Sequence, residues 1–247
     1  KYHSGRRYIM LENKVLGEKG AARLGKFLRL MKNTLKQGRF DARIFSEILF
    51  PRNGHTEGLP NQGYPLATPL PADEEKKWKP YFLFRGATKG IQDFSCHVSV
   101  LVHGHSPHPP HTHKEEEILM MLAGEADLLL PLYQGADGQG RTRLRPGEFV
   151  YYPSDYPHTL QTTSEVPANY LMFKWYTPKS RPDPKSLWFG KYNIYDSFSE
   201  QEGKAGFHAR TVCVGPSSCF CILHCHTSFL SPGAGYAPHI DAYDVAI

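Results

Sequence analysis

The chain has 247 residues, long enough to bury a substantial core in one large domain or two modest ones without disulfide staples. Its formal charge of +5 is small and owes much to the N-terminal region, so charge gives no case for nucleic-acid binding, and no nucleic-acid motif accompanies it. The five cysteines are odd in number and lack a C-x2-C pair, which points to reduced thiols and a cytoplasmic location, and no apolar run reaches the length of a membrane span.

No signal-peptide pattern is read at the start, and the first residue, Lys1, leads us to expect a longer parent protein. Residues 18–37 place Leu24, Phe27, Leu28, Met31 and Leu35 at helical spacing, with Lys26, Arg29, Lys32 and Lys36 mostly opposite. Gly38 ends that helix. Asp41 is the expected N-cap of a second, shorter helix carrying Ile44, Phe45, Ile48 and Leu49 and stopped at Pro51. A helical extension over residues 1–50 follows. Its basic side reads either as solvated surface over an apolar side packed on this protein, or as a face for an anionic membrane or a partner.

Residues 51–80 are rich in Pro, Gly and Asn and are expected to form an extended linker or a strap across a domain surface. Short apolar runs then recur at strand-like intervals: YFLFR (81–85), HVSVLV (97–102), EILMMLAG and ADLLL (117–130), EFVYY (148–152) and NYLMFKWY (169–176). They predict an all-β barrel or sandwich over residues 81–180. A Pro-rich connector at 177–186 precedes ARTVCV (209–214) and CFCILHC (219–225), the expected start of a second β unit over residues 187–247.

The stretch HGHSPHPPHTHKEEEIL (103–119) gathers five histidines and three glutamates. Side chains two apart on a strand share a face, so His111 and His113 can reach one ion together while Thr112 points away. A nearby carboxylate and an imidazole from a distant strand would complete a nitrogen and oxygen shell, suited to Fe, Mn, Zn, Ni or Co rather than to thiolate-preferring metals. Glu115 and Glu116 are rivals of Glu117 for the carboxylate position, and Glu115 shares the parity of His113, so strand alternation alone cannot exclude it. His103, His105 and His108, set among prolines, are expected at the mouth of a pocket or exposed.

Two segments carry a resemblance. HTHKEEEILMMLAG supplies His111, His113, Glu117 and Gly124 in the pattern H-x-H-x3-E-x6-G, with Gly104 one residue further upstream than that pattern places its first glycine. GEFVYYPSDYPH supplies Gly147, Pro153 and His158 in the pattern G-x5-P-x-G-x2-H, with Asp155 where the second glycine belongs. These segments resemble the two signature motifs of the cupin superfamily. The resemblance implies a mainly β chain, a double-stranded β-barrel of the jelly-roll (RmlC-like) kind. It also implies one divalent transition metal (Fe, Mn, Zn or Ni) on His111, His113, Glu117 and His158, and a homodimer.

Met120, Phe149, Tyr151, Leu171 and Phe173 are expected to face inward, with His105 and His108 at the rim, giving a dry pocket for a small-molecule substrate. The function expected is a metal-dependent enzyme: a quercetinase-like dioxygenase with iron, or a hydrolase or isomerase with manganese or zinc. The alternative is a non-catalytic cupin that binds a sugar or small acid or serves regulation. Catalytic residues beyond the ligands are unassigned.

A weaker echo lies near the C-terminus. Placing His239 on His111 pairs Pro238 with Pro110, Asp241 with His113 and Asp244 with Glu116, the pattern of a two-cupin chain. His239, Asp241 and Asp244 read as a degenerate site or a hydrogen-bonded polar cluster. The counterpart of His158 would fall past Ile247, so the second unit is expected to be incomplete. Cys219, Cys221 and Cys225 are expected to be buried thiols on one face of a strand, with His224 and His226 on the other.

Overall fold

The computed structural model describes residues 9–11, 14–16, 58–132, 140–178, 186–195 and 206–246. The chain divides into two compact units, Lys1–Arg52 and Asn53–Ile247. In the first, β1 (Ile9–Leu11) and β2 (Lys14–Leu16) pair antiparallel. The helices expected over 18–37 and 41–50 lie outside the described residues. Among the described residues all regular structure is strand, and no helix is long and apolar enough to cross a membrane.

The second unit begins its sheets at β3 (Trp78–Gly86) and β4 (Asp93–Leu101), followed by β5 (Glu116–Ala123), β6 (Ala126–Leu129) and β7 (Arg141–Leu144). Then come β8 (Glu148–Tyr152), β9 (Thr159–Thr162), β10 (Ala168–Tyr176) and β11 (Gly190–Asn193). Six of these strands form one antiparallel sheet in the order β11-β8-β5-β10-β4-β3, and three form a smaller sheet, β7-β6-β9. This is the mainly β, two-sheet jelly-roll architecture expected.

The core sits between the sheets. Leu101, Leu119, Met121, Val150, Tyr152 and Tyr170 of the large sheet meet Ala126, Leu128, Leu144 and Leu160 of the small one, all fully or nearly fully buried. Each large side chain so buried contributes roughly 1.5–3 kcal/mol, and together they fix which residue parity faces inward. The opposite face of the large sheet is also covered. Tyr151, Trp175, Ile118, Phe173 and Phe94 pack there with Leu187, Cys219, Phe220 and Leu223. Strands buried on both sides need no polar alternation, which is why β5, β8 and β10 read as near-continuous apolar runs.

Two backbone positions tie the motif to the fold. Gly124 has φ +69°, and an added Cβ would lie 2.9 Å from the carbonyl oxygens of Val166 and Pro167 and from Ala168 Cα. Only glycine meets both demands. Asp155 keeps a left-handed φ of 60° in the place where the motif has glycine. Its N–H donates to His113 O at 2.7 Å and its carboxylate takes Lys114 Nζ at 2.6 Å, contacts that hold the turn despite the Cβ.

Residues 58–77, the described part of the Pro-rich segment before β3, make specific contacts. Leu70 N–H donates to Asn169 Oδ1 at 2.7 Å, Tyr81 Oη donates to Pro71 O at 2.8 Å, and Tyr64 packs on Phe84 at 4.7 Å between ring centroids. Downstream, β12 (Phe207–Gly215) and β13 (Leu223–Leu230) form an antiparallel hairpin with its own two-stranded sheet. One expectation is corrected here. Cys219 and Cys221 lie in the turn between these strands, not on one strand face with Cys225, because Ser217 draws the chain into a turn through the N–H groups of Cys219 and Phe220.

Candidate metal centre

The end of the barrel is drawn together by a single bridge between His111 and His158, each N–H donating to the other's carbonyl at 3.2 Å. His113 follows two residues later, and Glu117 lies at the second position of β5. Register places Glu117 directly opposite Tyr152 on β8 and Lys174 on β10, so these side chains share the inward face. Sheet pairing therefore puts Glu117 on the face of the imidazoles and Glu116 on the other, while Glu115 precedes β5 with Oε2 3.6 Å from His113 Nδ1.

The ligand atoms converge. Glu117 Oε1 is 2.7 Å from His158 Nε2, and Glu117 Oε2 is 3.3 Å from His113 Nε2. One ring nitrogen from each of His111, His113 and His158 lies within 4.8 Å of the others. Two donors held about 2.1 Å from one ion at right angles would sit about 3 Å apart, which is the spacing found around Glu117.

Main-chain carbonyls set the imidazole tautomers. His158 Nδ1 contacts Tyr156 O at 2.7 Å, and His113 Nδ1 contacts Glu115 O at 2.9 Å. A carbonyl only accepts, so each Nδ1 carries the proton and each Nε2 presents a lone pair toward the centre. The His158 ring also stacks on Tyr152, with 4.1 Å between centroids. His111 Nδ1, His113 Nε2, Tyr152 Oη and both Glu117 oxygens are buried with no hydrogen-bond partner. Burying such groups unsatisfied is costly, and a cation satisfies the carboxylate and the free imidazole nitrogens at once.

Electrostatics prepare the same state. Burial is the leading influence on Glu117 and would raise its carboxyl. Lys174, His158 and His113 outweigh it and hold the group well below the usual carboxylate range. Burial pushes His111 and His113 below the ordinary imidazole range, aided by neighbouring positive groups. Neutral imidazoles beside an anionic carboxylate are what a divalent ion requires. Lys174 Nζ, 3.2 Å from Glu117 Oε2, adds a positive charge to the site.

The remaining expected residues separate. His108 packs edge-on against His111, with 3.9 Å between centroids, and burial lowers it to about 4, so it belongs to the wall of the site. His105 is exposed, its N–H spent on Val102 O and Thr162 Oγ1. His103 is also exposed, with Nδ1 on Ser164 O at 2.9 Å.

Tyr151 and Phe173 require correction. Both lie opposite Ile118, one residue out of phase with Glu117, and pack on the outer face of the large sheet rather than in a pocket with the imidazoles. Met120, Phe149 and Leu171 share that parity. Tyr152, Leu119 and Met172 occupy the inward positions instead.

Glu116 is likewise on the outer face. It accepts from Trp175 Nε1 at 2.7 Å, Ser217 Oγ at 2.8 Å, Tyr151 Oη and Cys219 N at 3.2 Å, and Ser218 N. In the C-terminal segment His239 Nε2 lies 3.6 Å from Asp241 Oδ2, both well exposed, while Asp244 accepts from Thr88 Oγ1 at 2.6 Å. Among the described residues only His111, His113 and His158 form a group of three or more with ligand-compatible spacing. Sequence reading missed Lys174, because a lysine within an apolar run reads as a surface position. Its parity with Glu117 was the available signal.

Residues 97–174 match the family model of the cupin domain, Cupin_2. The chain carries a cupin domain. Over 55 residues the chain is 42% identical to dimethylsulfoniopropionate lyase DddQ of Ruegeria pomeroyi, a stretch covering 22% of this chain and 24% of the lyase. The matched stretch thus spans about a quarter of that relative's length. The crystal structure of the same lyase is similar at 27% identity with a TM-score of 0.34, covering 49% of this chain and 58% of that one. Oxalate decarboxylase of Bacillus subtilis, a protein with Mn(II) centres, is similar at 25% identity with a TM-score of 0.28, covering 33% of this chain and 21% of that one.

Proposed function

We propose that the cupin domain is a metal-dependent enzyme acting on a small organic substrate, with one divalent transition ion held by His111, His113, Glu117 and His158. The observation that carries this reading is the convergence of one ring nitrogen from each of His111, His113 and His158 beside the buried carboxylate of Glu117. When bound, such an ion supplies Lewis acidity, an activated water or a redox centre.

The chain's own residues do the rest. The carbonyls of Tyr156 and Glu115 keep the His158 and His113 rings oriented. Leu119, Val150 and Met172 beside Tyr152 keep the interior dry, which strengthens every charge interaction there. Lys174 offers a positive charge on the Glu117 side of the site, placed to receive a substrate carboxylate. Identity to a lyase whose substrate is a small propionate supports elimination on a small carboxylate over the oxygenase, hydrolase and isomerase readings.

The test has two stages. Metal analysis of protein purified without chelators is expected to find one ion per chain in the wild type and none in His111→Ala. Metal-free wild-type protein that gains no stability from added metal overturns the reading. Incubation of the metal-loaded protein with dimethylsulfoniopropionate is then expected to release dimethyl sulfide; oxygen consumption in its place would assign an oxygenase.

A non-catalytic binding cupin is favoured by one observation. Lys174 already lies against Glu117 and can neutralise it without an ion. On that reading Lys174→Met destabilises the protein, whereas on the enzymatic reading the variant binds metal more tightly and loses affinity for anionic substrates.

A further inference from the structure

The β12–β13 hairpin brings two of the five cysteines face to face. Cys213 and Cys225 are direct cross-strand partners, and the register slips by one residue just before them, between Thr211 and Cys213. Directly opposed residues of an antiparallel pair project to the same side with Cβ atoms about 4.5–5.5 Å apart, and a disulfide draws them to about 3.5–4.5 Å, so a small inward shift of the two strands brings the sulfurs together. Their sulfurs share a hydrogen bond, and Tyr192 Oη of β11 donates to the Cys213 sulfur. Hydrogen bonds from Cys225 and Tyr192 hold the Cys213 thiol below its ordinary range against the effect of burial, while Cys225 is held above it by the Cys213 sulfur and by burial. One thiol is thus disposed to ionise and attack, and the other keeps its proton.

Their position in the hairpin gives the pair a consequence. Cys213 lies two residues before the end of β12 and Cys225 two residues after the start of β13, so together they form the neck of the intervening turn. That turn carries Ser217, Ser218 and Cys219, the groups that donate to buried Glu116. Glu116 is the chain neighbour of Glu117 in the centre described above.

We propose that Cys213 and Cys225 are a redox-modification site that closes reversibly to a disulfide and clamps the 216–222 turn onto Glu116. With a peroxide as oxidant, the Cys213 sulfur attacks one oxygen; an S–O bond forms, the O–O bond breaks, and the hydroxide released takes the thiol proton to leave as water. The Cys225 sulfur then attacks the Cys213 sulfur. The S–S bond forms, the S–O bond breaks, and the hydroxyl departs with the Cys225 proton as a second water. Two electrons have passed from the thiols to the peroxide. Dithiothreitol reverses the bond by two exchanges, ending as its own cyclic disulfide.

The experiment uses the full chain carrying Cys219→Ser and Cys221→Ser, which leaves the proposed pair untouched and removes its competitors in the turn. The protein is treated with hydrogen peroxide, its free thiols are alkylated with iodoacetamide, and chymotryptic peptides are analysed by mass spectrometry. Cleavage after Phe220 separates the two cysteines. The expected result is a pair of peptides joined through Cys213 and Cys225, released by dithiothreitol and present in the wild type also. Peptides recovered unlinked and alkylated at both positions after peroxide overturn the proposal. So does a Cys225 link that persists when Cys213→Ser is added to the variant.

Discussion

At Glu117 a single, fully buried carboxylate meets two imidazoles and an ammonium. Replacing it with glutamine keeps the shape and removes the charge, and Glu117→Gln is expected to weaken metal binding by at least about 10–100-fold, the cost usual for disturbing even an outer partner. Competition against a metal-buffering chelator measures this. His97 provides a second handle. Burial, assisted by repulsion from Lys174, lowers it to about 3. The unfolded chain takes up that proton below about pH 6.5 while the folded chain refuses it until about pH 3, so the unfolded state gains stability as pH falls between those values. The stabilising contribution is complete above about pH 6.5 and is lost at about 1.4 kcal/mol per pH unit below it. Melting curves of chelator-treated protein are expected to show this fall between about pH 6.5 and 4, with a shallower slope in His97→Gln; equal slopes would sink the assignment.

Strand by strand, much of the fold was legible. The runs at 81–85, 97–102, 117–130, 148–152 and 169–176 lie within or across β3, β4, β5, β6, β8 and β10, because buried strands carry dense apolar sequence. The strands β7, β9 and β11, with sequences RTRL, TLQT and GKYN, carry too few apolar residues to announce themselves. Facing was harder than existence. A strand buried on both sides has no polar phase to read, so apolar character alone assigned Tyr151 and Phe173 to the site, whereas the register with Glu117 assigns Tyr152 and Lys174. The grouping of His111, His113 and His158 was legible because the motifs of the resembled family encode it, while Lys174 depends on pairing with a strand far away in sequence. Two element-level outcomes follow. Asp155→Gly removes a left-handed Cβ and is expected to gain about 1 kcal/mol, less whatever the exposed Lys114 contact contributes, read from the denaturant midpoint. Glu116→Ala leaves Trp175 Nε1–H and the N–H of Ser218 unmet, while Cys219 N–H keeps Ser217 Oγ, and is expected to cost at least about 2 kcal/mol. Hydrogen exchange should then accelerate first in β12 and β13.

For the molecule as a whole, any ion that binds only the folded state adds to its stability by mass action. Free metal at a hundred times its dissociation constant contributes about 2.7 kcal/mol, which for a chain of this size raises the melting temperature by about 5–10 °C. Adding EDTA to metal-loaded protein is expected to reverse that rise, and His158→Ala to abolish both the rise and its reversal. A melting temperature indifferent to EDTA in a protein shown to hold metal would mean that the ion sits elsewhere.

Glu116 and Glu117 are adjacent, yet one faces the imidazoles and the other faces Trp175 and the 217–219 turn. A slip of β5 by one residue in one direction would carry Glu117 into the place of Glu116 and set Ile118 against the imidazoles, whereas a slip the other way would fill the two places with Glu115 and Glu116. The contacts around Glu117 therefore oppose slippage in the first direction, and the third glutamate leaves the second direction to be opposed by the rest of the strand. The boundary between Glu117 and Ile118 in HTHKEEEIL thus marks register as well as chemistry, and changes that lengthen or shorten the loop before β5 must be absorbed ahead of Glu116.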